Sequence, residues 1–147
     1  MPLAQTFTAA LESLVPRMYE MGVRVVELEE GHAVAAVSLD GNANHYGSMY
    51  AGALFGVAEV LGGALFVPSF DVAAYYPTVR ELTIRYHRPA LSDVRATATL
   101  DTATIARMRT DLQQTGKASY ELDAVLTAAS GETVATTHGA YQIRTRS

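Results

Sequence analysis

A nearly uncharged hydrophobic segment in the middle of the chain constrains its fold more than any other feature. Residues 44–70, NHYGSMYAGALFGVAEVLGGALFVPSF, contain one charged side chain, Glu59, among Ala, Gly, Leu, Val and Phe. An unpaired buried charge costs several kcal/mol, so such a carboxylate is usually paired, protonated or retained for chemistry. We therefore expect Glu59 to be either a paired structural group or a functional one.

The same segment is predicted to form a helix over about residues 49–66, with Ser48 as its N-cap and Pro68 as its stop. The helix is apolar on nearly every side, so other elements must cover almost all of it. Its central carboxylate, the five glycines between positions 47 and 63 and the strand-rich surroundings argue against a membrane span.

The rest of the sequence predicts strands around this helix. An amphipathic helix is expected over about residues 5–20, and GVRVVELEEGHAVAAVSL reads as two strands turning near Glu30 and Gly31. After the central helix, alternating patterns predict about four strands, interrupted by a short helical insert, ARMRTDLQQTG. The inward positions are expected to include Phe7, Leu11, Leu14, Val15, Met18, Leu82, Ile84, Tyr86, Val94, Ala96, Ala98, Leu100, Tyr120, Leu122, Ala124 and Leu126.

These elements predict an α+β fold in which an antiparallel sheet curls around the long helix, since the sheet has one face to bury and the helix must be wrapped. Its 147 residues suit a single domain spanning residues 1–147. The net charge of −4 argues against nucleic-acid binding. Cysteine is absent, which excludes disulfides and thiolate metal sites. The N-terminal residues lack the features of a signal peptide, so a cytoplasmic location is expected.

The central motif resembles the signature of hotdog-fold acyl-CoA thioesterases of the phenylacetate-pathway type. The matching positions are Asn44, Gly47, Gly52 and Glu59. The later stretches TIRYHRPA and ETVATTHGAYQI resemble strands of that family, so the likeness covers about residues 20–145. The insert resembles an uncharacterised thioesterase-like branch of the superfamily. Two positions depart from the pattern: Tyr50 stands where His is common, and Ala51 replaces the first Gly of the motif.

The resemblance implies a hotdog fold and hydrolysis of an acyl-CoA thioester, with coenzyme A as part of the substrate and no other cofactor. A desolvated Glu59 suits a base or nucleophile, because removal from water raises the pKa of a carboxyl. The first turn of the helix offers unpaired N–H groups for the developing oxyanion, and Gly52 lies there without an obstructing side chain. Asn44 would orient the water or the thioester oxygen.

Helix geometry adds an expectation about assembly. Gly52 and Glu59 are seven residues apart, which places them on one face but about 10 Å apart along the axis. They cannot both touch one thioester carbon within the same chain. Two helices lying antiparallel across a two-fold axis would bring Glu59 of one chain level with Gly52 of the other. The sequence therefore predicts an obligate homodimer, and leaves open a dimer of dimers through the sheet faces.

Other residues are expected to contact the substrate. Tyr50 and Ala51 occupy motif positions beside Gly52, and Arg88 belongs to a group of arginines suited to the phosphates of coenzyme A. His45 could pair with Glu59, as in hotdog hydratases and dehydratases. The other three histidines, His32, His87 and His138, lack ligand spacing, and no metal site is predicted.

Three alternatives to hydrolysis remain open at this point. Glu59 could be a structural carboxylate satisfied by an arginine or by backbone N–H groups. The chain could bind or sense acyl-CoA without cleaving it. It could also be an enoyl-CoA hydratase or dehydratase that uses His45 and Glu59.

Overall fold

A long helix with a sheet wrapped around it forms the centre of the molecule, as predicted. The computed structural model describes all 147 residues. The four helices are α1 Leu3–Leu14, α2 Pro16–Glu20, α3 Ala51–Phe66 and α4 Thr102–Thr115. The six strands are β1 Arg24–Glu29, β2 His32–Val37, β3 Tyr75–Tyr86, β4 Val94–Thr99, β5 Lys117–Ala128 and β6 Thr133–Thr145.

The strands form one antiparallel sheet in the order β1-β2-β4-β5-β6-β3. Side chains alternate across the sheet because successive residues of a strand point to opposite faces. In β4 and β5 the predicted inward residues are all buried, and they form the wall against which α3 packs. The sheet ends at β1 on one side and at β3 on the other, so β3 pairs only with β6.

The core surrounds α3 on most sides. Eleven of its 16 residues are buried, in agreement with the prediction that this helix must be covered. The remaining open positions include Gly52 and Glu59, and Phe55 keeps 38% of its surface exposed. One stripe of α3 is therefore left uncovered by the chain itself.

The start of α3 differs from the prediction. The helix begins at Ala51 with Tyr50 as its N-cap residue, and Ser48 lies in the preceding loop. The loop is held extended up to Tyr50 by backbone bonds from Met49 to Ala90 (2.8 Å) and from Tyr50 to Asn42 (2.7 Å). These tertiary bonds prevent the helix from starting at the residue with the best capping side chain.

Two other elements also differ from expectation. The first helix is divided at Val15, because a residue preceding proline disfavours the helical conformation. As a result Leu14 and Val15 are exposed rather than buried. The helical insert is longer than predicted, because the Asp101 carboxylate accepts the Thr104 N–H at 2.7 Å and begins α4 upstream.

The edge strand follows its predicted alternation only in part. Leu82 and Ile84 are half-buried, whereas Tyr86 is 49% exposed. Tyr86 lies beside the start of α3 instead, where its hydroxyl donates to the Ala51 carbonyl at 3.3 Å. None of the helices combines the length and the apolar character that crossing a membrane requires.

Candidate active site

The open stripe of α3 borders a cavity of about 530 Å³ between α3, α2 and the edge strand β3. Glu59 and Gly52 both line it, so the predicted sharing of one helix face is observed. The other lining residues include Met18, Met21, Phe55, Gly56, Val79, Arg80, Glu81 and Leu82. The walls are mainly apolar, which is typical of a small-molecule pocket.

Glu59 has no hydrogen bond or ion pair within the chain. Burial raises the pKa of Glu59 above its usual value of 4.5. Arg80 lines the same cavity but its guanidinium donates to Gln142 Oε1 at 3.4 Å rather than to Glu59. The alternative of a carboxylate satisfied by an arginine therefore finds no support in the contacts of Glu59.

Tyr141 is the aromatic neighbour of this carboxylate. Burial, together with the Glu59 charge, raises the pKa of Tyr141 to about 12. Its ring stacks on that of Tyr120 with centroids 5.3 Å apart. The Glu59 carboxyl thus lies beside a neutral aromatic side chain.

The start of α3 presents free hydrogen-bond donors. The Tyr50 carbonyl accepts the N–H groups of Ala53 (3.0 Å) and Leu54 (3.4 Å), which are the first bonds of the helix. The amides of Ala51 and Gly52 precede these bonds and have no acceptor in the chain. Free amides at a helix start carry partial positive charge and can stabilise an oxyanion.

Asn44 is engaged within its own loop. Its Oδ1 accepts the N–H groups of Tyr46 (2.9 Å) and Ser48 (3.2 Å), and its Nδ2 donates to Ser48 Oγ at 3.0 Å. This is the arrangement expected of an asparagine that stabilises a turn. The predicted role of Asn44 in orienting water remains a prediction.

The predicted substrate contacts fall into a second region of the chain. Asn44, Ala51 and Arg88 line a groove of about 380 Å³ on the other side of the helix start. Arg88 there forms an exposed ion pair with Glu132 at 3.2 Å. His45 is exposed and packs on Tyr46, with ring centroids 4.0 Å apart, and it lines neither hollow. Within one chain, therefore, Glu59 and Gly52 share a cavity, whereas Asn44, Ala51 and Arg88 do not reach it.

The remaining histidines are bonded to polar neighbours. His32 contacts Glu27 at 3.0 Å and His87 contacts Thr136 at 2.8 Å. His138 lies between Asp123 (2.7 Å) and Glu121 (3.0 Å), and these hydrogen bonds raise the pKa of His138. No group of three or more His, Cys, Asp or Glu side chains is arranged so that it could hold a metal ion.

Sequence reasoning overlooked Asn42, a buried residue that supports the site. Its Nδ2 donates to the carbonyls of Met21 (2.6 Å) and Ser38 (2.9 Å), while its own carbonyl accepts the Tyr50 N–H. It ties α2, the end of β2 and the start of α3 together. Nothing in the sequence distinguishes it from Asn44 two positions later, since both lie in a polar loop.

Comparisons with known proteins agree with this architecture. Residues 4–143 match a family described as a domain of unknown function, DUF4442, and the chain belongs to that family. The protein PA5026 from Pseudomonas aeruginosa, described as a protein of unknown function and probable thioesterase, is 44% identical. Its structure has a TM-score of 0.88, with 99% of both chains covered. A comparison with curated proteins found no match.

More distant structures share the fold. The thioesterase HI1161 from Haemophilus influenzae is 12% identical with a TM-score of 0.76, covering 97% of this chain and 90% of the other. A mutant thioesterase PA1618 from Pseudomonas aeruginosa is 17% identical with a TM-score of 0.77, covering 97% and 94%. The predicted hotdog fold of the thioesterase superfamily is thus confirmed.

Proposed function

We propose that the protein hydrolyses an acyl-CoA thioester to the free acid and coenzyme A. The observation that carries this proposal is the unpaired Glu59, which shares one cavity and one helix face with Gly52. The 44% identical relative described as a probable thioesterase supports the same activity. The absence of a cofactor and the cytoplasmic location remain predictions from the sequence.

The chemistry follows from the two groups. Glu59 as a base removes a proton from water, the water oxygen adds to the thioester carbon, and the carbonyl oxygen becomes negative. The amide of the partner subunit's Gly52 stabilises that oxyanion. The carbon–sulfur bond then breaks, and the proton held by Glu59 passes to the leaving thiolate. A Glu59 that attacks the carbon directly would release the thiolate and form an acyl-enzyme anhydride; water then hydrolyses the anhydride to the free acid and Glu59, and the proton released passes to the thiolate.

A dimer is needed to bring these groups to one carbonyl. The midpoint between Gly52 and Glu59 falls between Phe55 and Gly56, which both line the cavity. A two-fold axis at this point places Glu59 level with the partner subunit's Gly52. Each cavity would then be completed by the helix start of the other chain, together with Tyr50, Ala51 and Asn44 around it.

The edge strand supports the same axis. β3 has 12 residues, one unpaired edge, and a midpoint between Arg80 and Glu81, both of which line the cavity. Long unpaired edges tend to pair with another chain. The opposite edge differs, because Thr8 Oγ1 bonds both the N–H and the carbonyl of Val25 in β1.

A single two-fold axis could pass near both the midpoint between Gly52 and Glu59 and the midpoint of β3. It would pair β3 with its copy and align the two copies of α3. A bulge in β3 between Val79 and Glu81 places Val79 and Leu82 on the same face of the sheet. In that register Arg80 would lie opposite the partner subunit's Glu81, and Val79 would lie opposite the partner subunit's Leu82. Each pairing is complementary, since opposite charges and apolar side chains stabilise antiparallel strands. Val79 is 46% exposed in the single chain, so pairing would also bury it.

The test is release of free thiol from a panel of acyl-CoA esters, with Glu59→Gln as the variant and Glu12→Gln, an exposed acid on α1, as the control. We expect the wild type and the control to release thiol and Glu59→Gln to lose turnover while remaining folded and dimeric. Retained turnover in Glu59→Gln would reject the role of Glu59.

The same panel separates the alternatives. A binding or sensing module would raise its melting temperature with acyl-CoA without releasing thiol. An enoyl-CoA hydratase would instead consume an enoyl-CoA by adding water and would lose that activity in His45→Ala. Hydrolysis predicts thiol release by His45→Ala at a rate close to that of the wild type.

A further inference from the structure

We propose that the hydroxyl of Tyr50 donates a second hydrogen bond to the thioester oxygen, beside the amide of Gly52. This inference rests on the proposed hydrolysis and adds a residue to its oxyanion site. It assigns a chemical role to a side chain at the position where the resemblance shows a departure from the usual His.

The first observation is the position of the Tyr50 ring over Gly52. A methyl group at Gly52 would lie 2.4 Å from Cε2 and Cζ of Tyr50 and 2.5 Å from its hydroxyl oxygen. The ring therefore occupies the space that any larger residue at position 52 would take. The hydroxyl oxygen lies at the start of α3, next to the amide proposed to bind the carbonyl.

The backbone of Tyr50 is fixed on both sides. Its N–H donates to Asn42 at 2.7 Å, and its carbonyl accepts the first two bonds of α3. Asn42 is itself buried and anchored by two hydrogen bonds. Because the backbone is fixed, only two side-chain torsions must be ordered to place the hydroxyl near Gly52, and the entropic cost is small.

The hydroxyl of Tyr50 also has no partner within the chain. By contrast, Tyr86 donates to the Ala51 carbonyl at 3.3 Å and Tyr120 donates to the Gly62 carbonyl at 3.0 Å. Tyr50 is 57% exposed, so a substrate can reach it. A free phenolic O–H and a free amide thus lie side by side at the start of α3, where the proposed hydrolysis requires donors to the oxyanion.

A donor that acts on the developing negative charge stabilises the transition state more than the bound ester. Its removal should therefore lower kcat and leave KM almost unchanged. A ring that only packs on Gly52 gives a different result, since phenylalanine would preserve that packing. Tyr50→Phe distinguishes the two roles because it removes one oxygen atom and keeps the ring.

The experiment compares the wild type, Tyr50→Phe and Tyr46→Phe with one acyl-CoA ester that the wild type hydrolyses. Tyr46 is an exposed tyrosine in the adjacent loop and serves as the control. We expect Tyr50→Phe to lower kcat on the order of 10²-fold with an unchanged KM. We expect Tyr46→Phe to match the wild type, and both variants to keep the wild-type melting temperature.

A second variant checks the geometry. Gly52→Ala should displace the Tyr50 ring and lower kcat, and adding Tyr50→Phe should then cause little further loss, because both changes remove the same interaction. Wild-type kcat in Tyr50→Phe would overturn the inference while leaving the proposed function intact. If the wild type releases no thiol from any ester, the proposed function fails and this inference fails with it.

Discussion

The ring of Tyr141 lies directly against Gly62, one helical turn beyond Glu59. A methyl group at Gly62 would come within 2.1 Å of Tyr141 Cε1, so only glycine permits this contact. Tyr120 stacks on the same ring and donates its hydroxyl to the Gly62 carbonyl at 3.0 Å. Two tyrosines of the sheet therefore fix the rotation of α3 and hence the face on which Glu59 lies.

This packing predicts opposite effects at two neighbouring glycines. Gly62→Ala should destabilise the protein by about 1–3 kcal/mol, because the added methyl overpacks the core. Gly63→Ala should stabilise it by about 0.5–1 kcal/mol, since nothing lies within 4 Å of that position and alanine favours the helix. Urea denaturation of the two variants measures both changes. Equal stability of the variants would contradict the packing described for Tyr141.

Substitutions of the two asparagines in the loop before α3 should differ in their effects on stability and on activity. Asn42→Ala leaves the carbonyls of Met21 and Ser38 without their donor and should cost about 2–3 kcal/mol of unfolding free energy. Asn44→Ala removes bonds within a half-exposed loop and should cost about 1 kcal/mol, while lowering thiol release if Asn44 orients water. Urea denaturation ranks the two losses. A loss in Asn42→Ala no greater than that in Asn44→Ala would be inconsistent with the buried role of Asn42.

The raised pKa of Glu59 predicts how stability depends on pH. Burial disfavours the charged carboxylate, so the folded state holds a proton at pH values where the unfolded chain has released it. The stability of the wild type should therefore fall as pH rises from 4.5 through the folded pKa. Glu59→Gln lacks this titration and should melt a few degrees higher than the wild type at pH 8.

Melting temperatures of both proteins between pH 4 and pH 8 check this sign. The advantage of Glu59→Gln should narrow as the pH falls towards 4.5, the usual value for glutamate. A wild type that is more stable than Glu59→Gln at pH 8 would indicate a Glu59 carboxylate stabilised by an arginine or by backbone N–H groups, which is the structural alternative.

The predicted register of β3 can be tested by exchanging charges. Arg80→Glu would place a carboxylate opposite the partner subunit's Glu81 at two equivalent positions. The dimer Kd should rise about 10-fold, because like charges across a strand pair repel. The double variant Arg80→Glu/Glu81→Arg should restore the dimer, and Arg85→Glu on the same strand serves as the control. Sedimentation that shows equal dimerisation in all variants would exclude this register.

Local patterns were sufficient to predict the elements of the fold. Alternation in β4 and β5 identified the residues that face α3, because a period of two leaves one choice of buried face. The apolar run around Glu59 indicated a covered helix, because a helix that is apolar on nearly every side must be buried by other elements. The boundaries were less predictable: Ser48 looked like the N-cap, but bonds from distant Asn42 and Ala90 determined where α3 begins.

The site was predictable only where it depends on one helix. Gly52 and Glu59 share a face because seven residues make nearly two turns, which the sequence specifies directly. The position of Asn44, Ala51 and Arg88 in a separate groove depends on how the loop folds back, which no local pattern encodes. The supporting contact between Tyr141 and Gly62 joins residues far apart in the chain, and alternation alone could not pair them.

The most direct test of the central claim mixes two inactive variants. Glu59→Gln lacks the base, and Gly52→Leu fills the start of α3. A mixed dimer would contain one intact site, formed by the Glu59 of one chain and the helix start of the other. After equal mixing and subunit exchange, thiol release should recover to about a quarter of the wild-type rate, since half of the dimers are mixed. No recovery, with mixed dimers demonstrated, would contradict a site shared between two chains.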